Sequence, residues 1–240
     1  MSKYISSRIV PAILPSRDRD LVDGVCRFKN FVPLVQIDVC DGELTPKASW
    51  PYRTEAAQGD LQKLVDQEEG LPFWQDINFE IDLMVVDPAA EIDKWIMAGA
   101  ECIVLHPKRD GKYDKETLEK ILEELSSRGV FAGLAVHLDS AVEDDISYIS
   151  EIRDRLDLVQ VMGIANVGFQ SQDFDPRSLV KVQAIRDAFP DLTISVDGAV
   201  TIATALDLID AGASRLVVGH DLIESIDVAG EIHALDDCFE

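Results

Sequence analysis

Short apolar runs recur along this chain, each followed by a longer stretch with helical spacing. The runs cover residues 8–14, 34–39, 78–86, 101–106, 130–136, 156–162, 192–197 and 215–219. They are nearly continuous in Val, Ile, Leu and Ala, as expected of strands buried on both faces of a parallel sheet. The intervening segments read as helices. Ser16 or Asp18 would cap the first, which runs to about Phe31, and Thr54 to Glu69 follows with Leu61, Leu64 and Val65 on one face. Further helices are expected from Asp87-Pro88 to Met97, Asp114 to Ser127, Ser140 (as cap) to Arg155, Pro176 to Phe189, Thr201 to Ala211, and beyond His220. Two helix exits repeat, Ala98-Gly99-Ala100 and Ala211-Gly212-Ala213, and their small residues let a helix return closely onto a strand. Eight strand–helix units predict a single (β/α)8 TIM barrel spanning residues 1–240. No G-x-G-x-x-G follows the first strand, which argues against an open dinucleotide-binding sheet.

Polar residues interrupt this pattern where such a barrel places its chemistry, at the C-terminal strand ends. The second strand carries Gln36, Asp38 and Cys40 on one face and ends at Asp41-Gly42. The third carries Glu80, Asp82 and Met84 on one face; the fourth ends at His106, the fifth at His137, the sixth at Met162 and the seventh at Asp197. Carboxylates facing one cavity repel and need a cation or a shared proton to coexist. Asp38, Asp82 and Asp197, with Gln36 if its carbonyl turns inward, offer only oxygen donors, a set suited to Mg²⁺ or Mn²⁺ rather than Zn²⁺; with a shared proton the site would need no ion. A phosphate would find backbone N–H groups in three glycine-bearing turns: Gly168-Phe169-Gln170-Ser171, Gly198-Ala199 and Gly219-His220. Met84, Met162, His106 and Cys40 are expected around the same pocket, Cys40 as a packing residue since no histidine lies near it in sequence. Trp50, Tyr52, Phe73 and Trp74 would form a lid or an oligomer contact.

Composition narrows the partners. Apolar residues make up 47% of 240, enough for a sizeable core. The net charge of −23 makes nucleic acid and anionic membranes poor partners, so an anionic substrate must find its positive potential locally. No apolar run approaches the roughly 18–20 residues that span a bilayer, and the N-terminal stretch lacks a signal-type apolar segment. Four scattered cysteines form no C-x-x-C pair, which points to free thiols and a cytoplasmic protein.

Taken together, these motifs resemble the ribulose-phosphate 3-epimerase family from about Ile9 to Ile223. Val10-Pro-Ala-Ile-Leu14 is similar to the family's P-S-I-L opening, and Gln36-Ile-Asp-Val-Cys-Asp-Gly42, continuing to Pro46, to its H-x-D-x-M-D-G-x-x-x-P. Glu80-Ile-Asp-Leu-Met-Val85 is similar to D-x-H-L-M-V, the segment from Met162 to Gln172 to M-x-V-N-P-G-F-G-G-Q with one extra residue, and Val196-Asp-Gly-Ala-Val200 to V-D-G-G-V. The resemblance implies an enzyme acting on a phosphorylated sugar, a homo-oligomer, and inversion of one carbon of a ketose phosphate. Asp38 and Asp197 would be its acid/base pair around a divalent metal.

The departures are specific. Gln36 and Asp82 stand where the family has its two metal-binding histidines, Ala12 replaces an early serine, Gln170-Ser171 replaces Gly-Gly, Cys40 replaces a methionine and His220 a serine. Three readings follow: an epimerase using a harder ion, a barrel diverged to another sugar phosphate or reaction, or a non-catalytic binding or assembly protein. The decarboxylases and aldolases of related barrels carry D-x-K-x-x-D on the third strand, and this chain has no lysine there.

Overall fold

A computed structural model describes residues 7–106, 115–168 and 172–240. Eight strands, β1 (Ile9–Ile13), β2 (Leu34–Cys40), β3 (Asn78–Met84), β4 (Cys102–Leu105), β5 (Phe131–Val136), β6 (Leu158–Met162), β7 (Thr193–Asp197) and β8 (Arg215–Val218), pair in sequence order as a closed barrel. Every pairing is parallel, including that of β8 with β1. The helices are α1 (Asp18–Phe28), α2 (Glu55–Val65), α3 (Ile92–Ala98), α4 (Lys115–Ser127), α5 (Val142–Ile152), α6 (Arg177–Ala188), α7 (Ile202–Asp210), α8 (His220–Glu224) and α9 (Val228–Asp237). This is the (β/α)8 barrel that the periodicity predicts. Both small-residue exits behave as expected: Gly99 and Gly212 take φ of 100° and 113°, a region open to glycine at little cost.

Strand alternation divides the apolar residues into two layers. Outward-facing Ile37, Ile81, Ile103, Val159, Ile194 and Leu216 join Trp95, Leu125 and Leu208 in the main core between sheet and helices. Inward-facing residues form two smaller groups, Val10, Ala12, Leu34 and Val217 in one, and Cys40, Met84, Cys102, Val104, Ala135, Leu158 and Met162 in the other. Six polar side chains accompany them in the barrel interior: Gln36, Glu80, Asp82, Gln160, Ser195 and Arg215, each at most 1% exposed. Several bond across the barrel to strands that are not their neighbours, which only inward-pointing residues can do. Arg215 on β8 donates to Glu80 on β3 at 2.6 Å, and Gln160 on β6 donates to Asp82 on β3 at 3.2 Å.

Three expectations about local structure need correction. Helix α1 ends at Phe28 rather than near Phe31, and neither Ser16 nor Asp18 caps it: the N-cap is Arg17 without a side-chain bond, and Asp18 is the first helical residue. The Asp20 carboxylate instead accepts from the Ser16 N–H, closing the turn from inside the helix. Ser140 does not cap α5, whose N-cap is Ala141; the Ser140 hydroxyl donates to the His137 carbonyl and accepts from Lys181. Trp50 and Tyr52 are not a lid. Trp50 is buried edge-on against Trp95, ring centroids 6.1 Å apart, and Tyr52 donates to Glu91 at 2.5 Å. Phe73 and Trp74 remain on the surface. Asp114, expected to begin α4, lies outside the described residues.

Candidate active site

The strand register assembles the site. Between β2 and β3 it pairs Gln36 with Glu80, Asp38 with Asp82 and Cys40 with Met84, giving successive rungs toward the C-terminal end. Between β6 and β7 it pairs Gln160 with Ser195 and Met162 with Asp197. Closure of the barrel brings these pairs together, and one carboxylate oxygen each of Asp38, Asp82 and Asp197 lie within 4.8 Å of one another. Asp41, beside this motif, has a structural task. Its carboxylate accepts from the N–H groups of Glu43, Leu44 and Val86, tying the β2 turn to the end of β3.

Two amides separate the acids. Gln36 Nε2 donates to Asp38 Oδ1 at 2.9 Å and to Asp197 Oδ2 at 2.8 Å. Gln160 Nε2 donates to Asp82 Oδ1 at 3.2 Å and to Asp197 Oδ2 at 3.3 Å. Gln36 therefore presents its nitrogen to the carboxylates, not the carbonyl anticipated for a metal ligand; acceptor-only carboxylates crowded together draw the donor end of an amide between them. Its Oε1 makes no hydrogen bond, nor does Asp82 Oδ2. Gln160 was not singled out in the sequence, although it lies two residues before Met162 and so shares its inward face.

The acids hold protons unusually well. Burial pushes Asp38 well above the carboxylate range, and the nearby charges of Asp197 and Asp82 add to this while the Gln36 bond opposes it. Asp82 is raised by burial and then by Glu80. Asp197 is pushed up to about 7 by burial, Asp82 and Glu80, against the bond from Gln36 and the charge of Arg215. A carboxylate held near 7, as Asp197 is, suits proton transfer near neutrality.

Above the acids lies a cavity of about 290 Å³ whose lining includes Asp38, Asp82, Asp197, Met84 and Met162. Gly168, Gly198, Ala199, Gly219 and His220 also line it. Gly198 and Ala199 both have positive φ, 108° and 54°, so the turn after β7 is tightly wound. Phe169, Gln170 and Ser171 lie outside the described residues. Cys40 and His106 do not line the cavity, contrary to expectation. Cys40 is fully buried against Met84, 3.9 Å between sulfurs, and its burial pushes the thiol up to about 12, which leaves it a packing group. His106 is fully buried beside Asp82, with Nε2 2.7 Å from Asp82 Oδ1.

Gly163 fixes the height of Asp197. Its N–H donates to the Asp197 carbonyl at 2.6 Å, and a Cβ added there would meet the Gly198 carbonyl oxygen at 2.1 Å. Gly163→Ala is expected to force the β6 and β7 ends apart, costing about 1–3 kcal/mol of stability and lowering any activity that needs Asp197. A thermal midpoint equal to that of the parent would refute this close approach.

Fold and site together define a (β/α)8 barrel with acids facing one another at its mouth. The sequence model of the ribulose-phosphate 3 epimerase family matches residues 8–223, and the chain belongs to that family. It is 29% identical to the ribulose-phosphate 3-epimerase of Eremothecium gossypii over 95% of this chain and 91% of that one. It is 27% identical to the ribulose-phosphate 3-epimerase of Schizosaccharomyces pombe over 90% and 86%. Among solved structures, a 3-hexulose-6-phosphate synthase superposes with a TM-score of 0.66 at 18% identity, covering 98% of this chain and 100% of that one; at that identity the likeness speaks for the fold alone.

Proposed function

We propose that this chain interconverts ribulose 5-phosphate and its 3-epimer by proton transfer between Asp38 and Asp197. The observation that carries this reading is the placement of two acids with raised proton affinity on separate strands of one cavity, bridged by a single amide. A ketose lying between them would lose the proton beside its carbonyl to one carboxylate. It would regain one on the opposite face from the other, inverting that carbon. Met84 and Met162 supply an apolar wall that limits water near the carbanionic carbon. The phosphate would sit against the turns at Gly168, Gly198-Ala199 and Gly219-His220. Since the described cavity lining contains no Lys or Arg, the anion would rely on backbone N–H groups and His220.

The donor set fits a divalent cation: three converging carboxylates, with Asp82 Oδ2 and Gln36 Oε1 making no hydrogen bond. Asp38, Asp82 and Asp197 would hold it, joined by Gln36 once the amide turns over, and an oxygen-only set favours Mg²⁺ or Mn²⁺. When bound, the ion supplies fixed positive charge beside the oxygens that become negative as the proton leaves. The direct test is epimerisation of ribulose 5-phosphate after dialysis against a chelator, then with Mg²⁺, Mn²⁺, Zn²⁺ or Fe²⁺ restored. Absence of turnover with every ion would sink the reading.

Raised carboxylates also set a pH dependence. Without a cation, Asp197 binds more protons in the folded protein than in the unfolded chain between about pH 4 and pH 7, and Asp38 and Asp82 are displaced in the same direction. Their contribution to stability is therefore present at low pH and lost as pH rises through that window. A cation that replaces the protons reverses the loss. The expected result is a thermal midpoint that falls from about pH 4 to pH 7 in chelator, a smaller fall in Asp197→Asn, and a stabilisation by Mn²⁺ that grows with pH. An Mn²⁺ effect independent of pH would count against these three acids as its site.

A further inference from the structure

Two imidazoles lie directly behind Asp82. His106, just past the end of β4, places Nε2 2.7 Å from Asp82 Oδ1. His137, just past the end of β5, places its Nε2 3.2 Å from His106 Nδ1, with the rings edge-on at 72° and centroids 5.1 Å apart. His106 and Asp82 are sealed from solvent, whereas His137 is half-buried and closer to the surface. Asp82 Oδ1 also receives the Gln160 amide, and Oδ2 makes no hydrogen bond.

We propose that His106 and His137 are positioning residues that lock Asp82 with one oxygen held and the other, Oδ2, offered to the cavity. The orientation follows from donor counting. An amide Nε2 can only donate, so Asp82 Oδ1 acts as acceptor toward Gln160. With the same oxygen accepting from His106, the proton of His106 is on Nε2. Its Nδ1 is then an acceptor and takes the Nε2–H of His137, so the two imidazoles form one inward-pointing chain of donors that ends on Asp82. Ligating carboxylates are commonly held in place by outer hydrogen bonds of this kind. Here the carboxylate takes the inner place and the imidazoles stand one and two steps outward.

The metal part of this inference rests on the function proposed above, whereas the hydrogen-bond direction does not, and two readouts keep them separate. The chain has four histidines, so ¹⁵N-histidine labelling with His106→Gln and His137→Gln variants assigns the ring signals. The expected result is His106 as the Nε2–H tautomer in cation-free protein at neutral pH, with that signal displaced in His137→Phe. An Nδ1–H tautomer would overturn the proposal, because Asp82 would then be donating to the ring. The second readout is Mn²⁺ affinity measured by titration calorimetry. His106→Phe is expected to weaken it about tenfold or more, and His106→Gln, which keeps an N–H donor, to recover most of the loss. Equal Mn²⁺ affinity in parent and His106→Phe, both folded by circular dichroism, would overturn the positioning role. A parent that binds no Mn²⁺ would remove the offered Oδ2 ligand, and the tautomer alone would then decide the hydrogen-bond direction.

Discussion

Asp38→Asn is expected to reduce kcat on the order of 10²–10⁴-fold, the usual contribution of a positioned acid or base, with little change in KM. Asparagine keeps the shape of the side chain and can still accept from Gln36, so binding should survive while proton transfer does not. The sharper readout is isotope exchange. If Asp38 and Asp197 serve opposite faces, each single Asn variant should retain solvent-deuterium exchange with one epimer and lose it with the other, and the two variants should lose opposite epimers. Loss of the same epimer in both variants would indicate one shared base and reject the two-acid mechanism. Undiminished exchange in either variant would remove that residue from the reaction. A second consequence separates chemistry from folding. Because Asp38 is raised partly by Asp197 and Asp82, neutralising it relieves repulsion, and the cation-free variant should melt no lower than the parent at neutral pH.

The barrel was legible because its signal is redundant. Each strand is a largely apolar run, and two helix exits repeat the same Ala-Gly-Ala signature, so no single segment had to be read correctly. The acids of the site were legible for a related reason: a carboxylate inside an apolar run stands out. What stayed hidden was polarity without charge and charge away from the strand end. Gln160, Ser195 and Arg215 all occupy inward positions, two residues before Met162, two before Asp197 and at the first residue of β8. Extending the alternation used for β2 and β3 to β6, β7 and β8 finds all three. The direction of the Gln36 amide could not be read from sequence at all, since it depends on where Asp38 and Asp197 meet across the barrel. The Ser140 cap failed because its hydroxyl is taken by the His137 carbonyl and Lys181, and Ser16 and Asp18 failed because the helix starts between them, with Arg17 at the N-cap.

The same buried polarity yields the largest expected effect on stability. Arg215 and Glu80 are both sealed from solvent and share one 2.6 Å bond, while Arg215 Nε, Arg215 Nη1 and Glu80 Oε2 make no hydrogen bond. A pair met by a single bond recovers little of what it costs to bury two charges, but removing one partner strands the other. Arg215→Met is therefore expected to destabilise the fold by about 3–5 kcal/mol, a fall of roughly 6–20 °C in Tm for a chain of this size. Glu80→Gln combined with Arg215→Met should recover most of that loss, and a double variant as unstable as Arg215→Met would show that the guanidinium matters for packing rather than charge. Arg215 also opposes the rise of Asp197. Glu80 raises Asp197 by more than Arg215 lowers it, so with both charges removed in the double variant Asp197 should titrate at slightly lower pH than in the parent. Carbon-13 labelling of the carboxyl carbons in cation-free protein would read this directly. An unchanged Asp197 titration would mean that the ion pair deep in the barrel is electrically silent at the acids above it, and that burial and the two amides alone set their proton affinity.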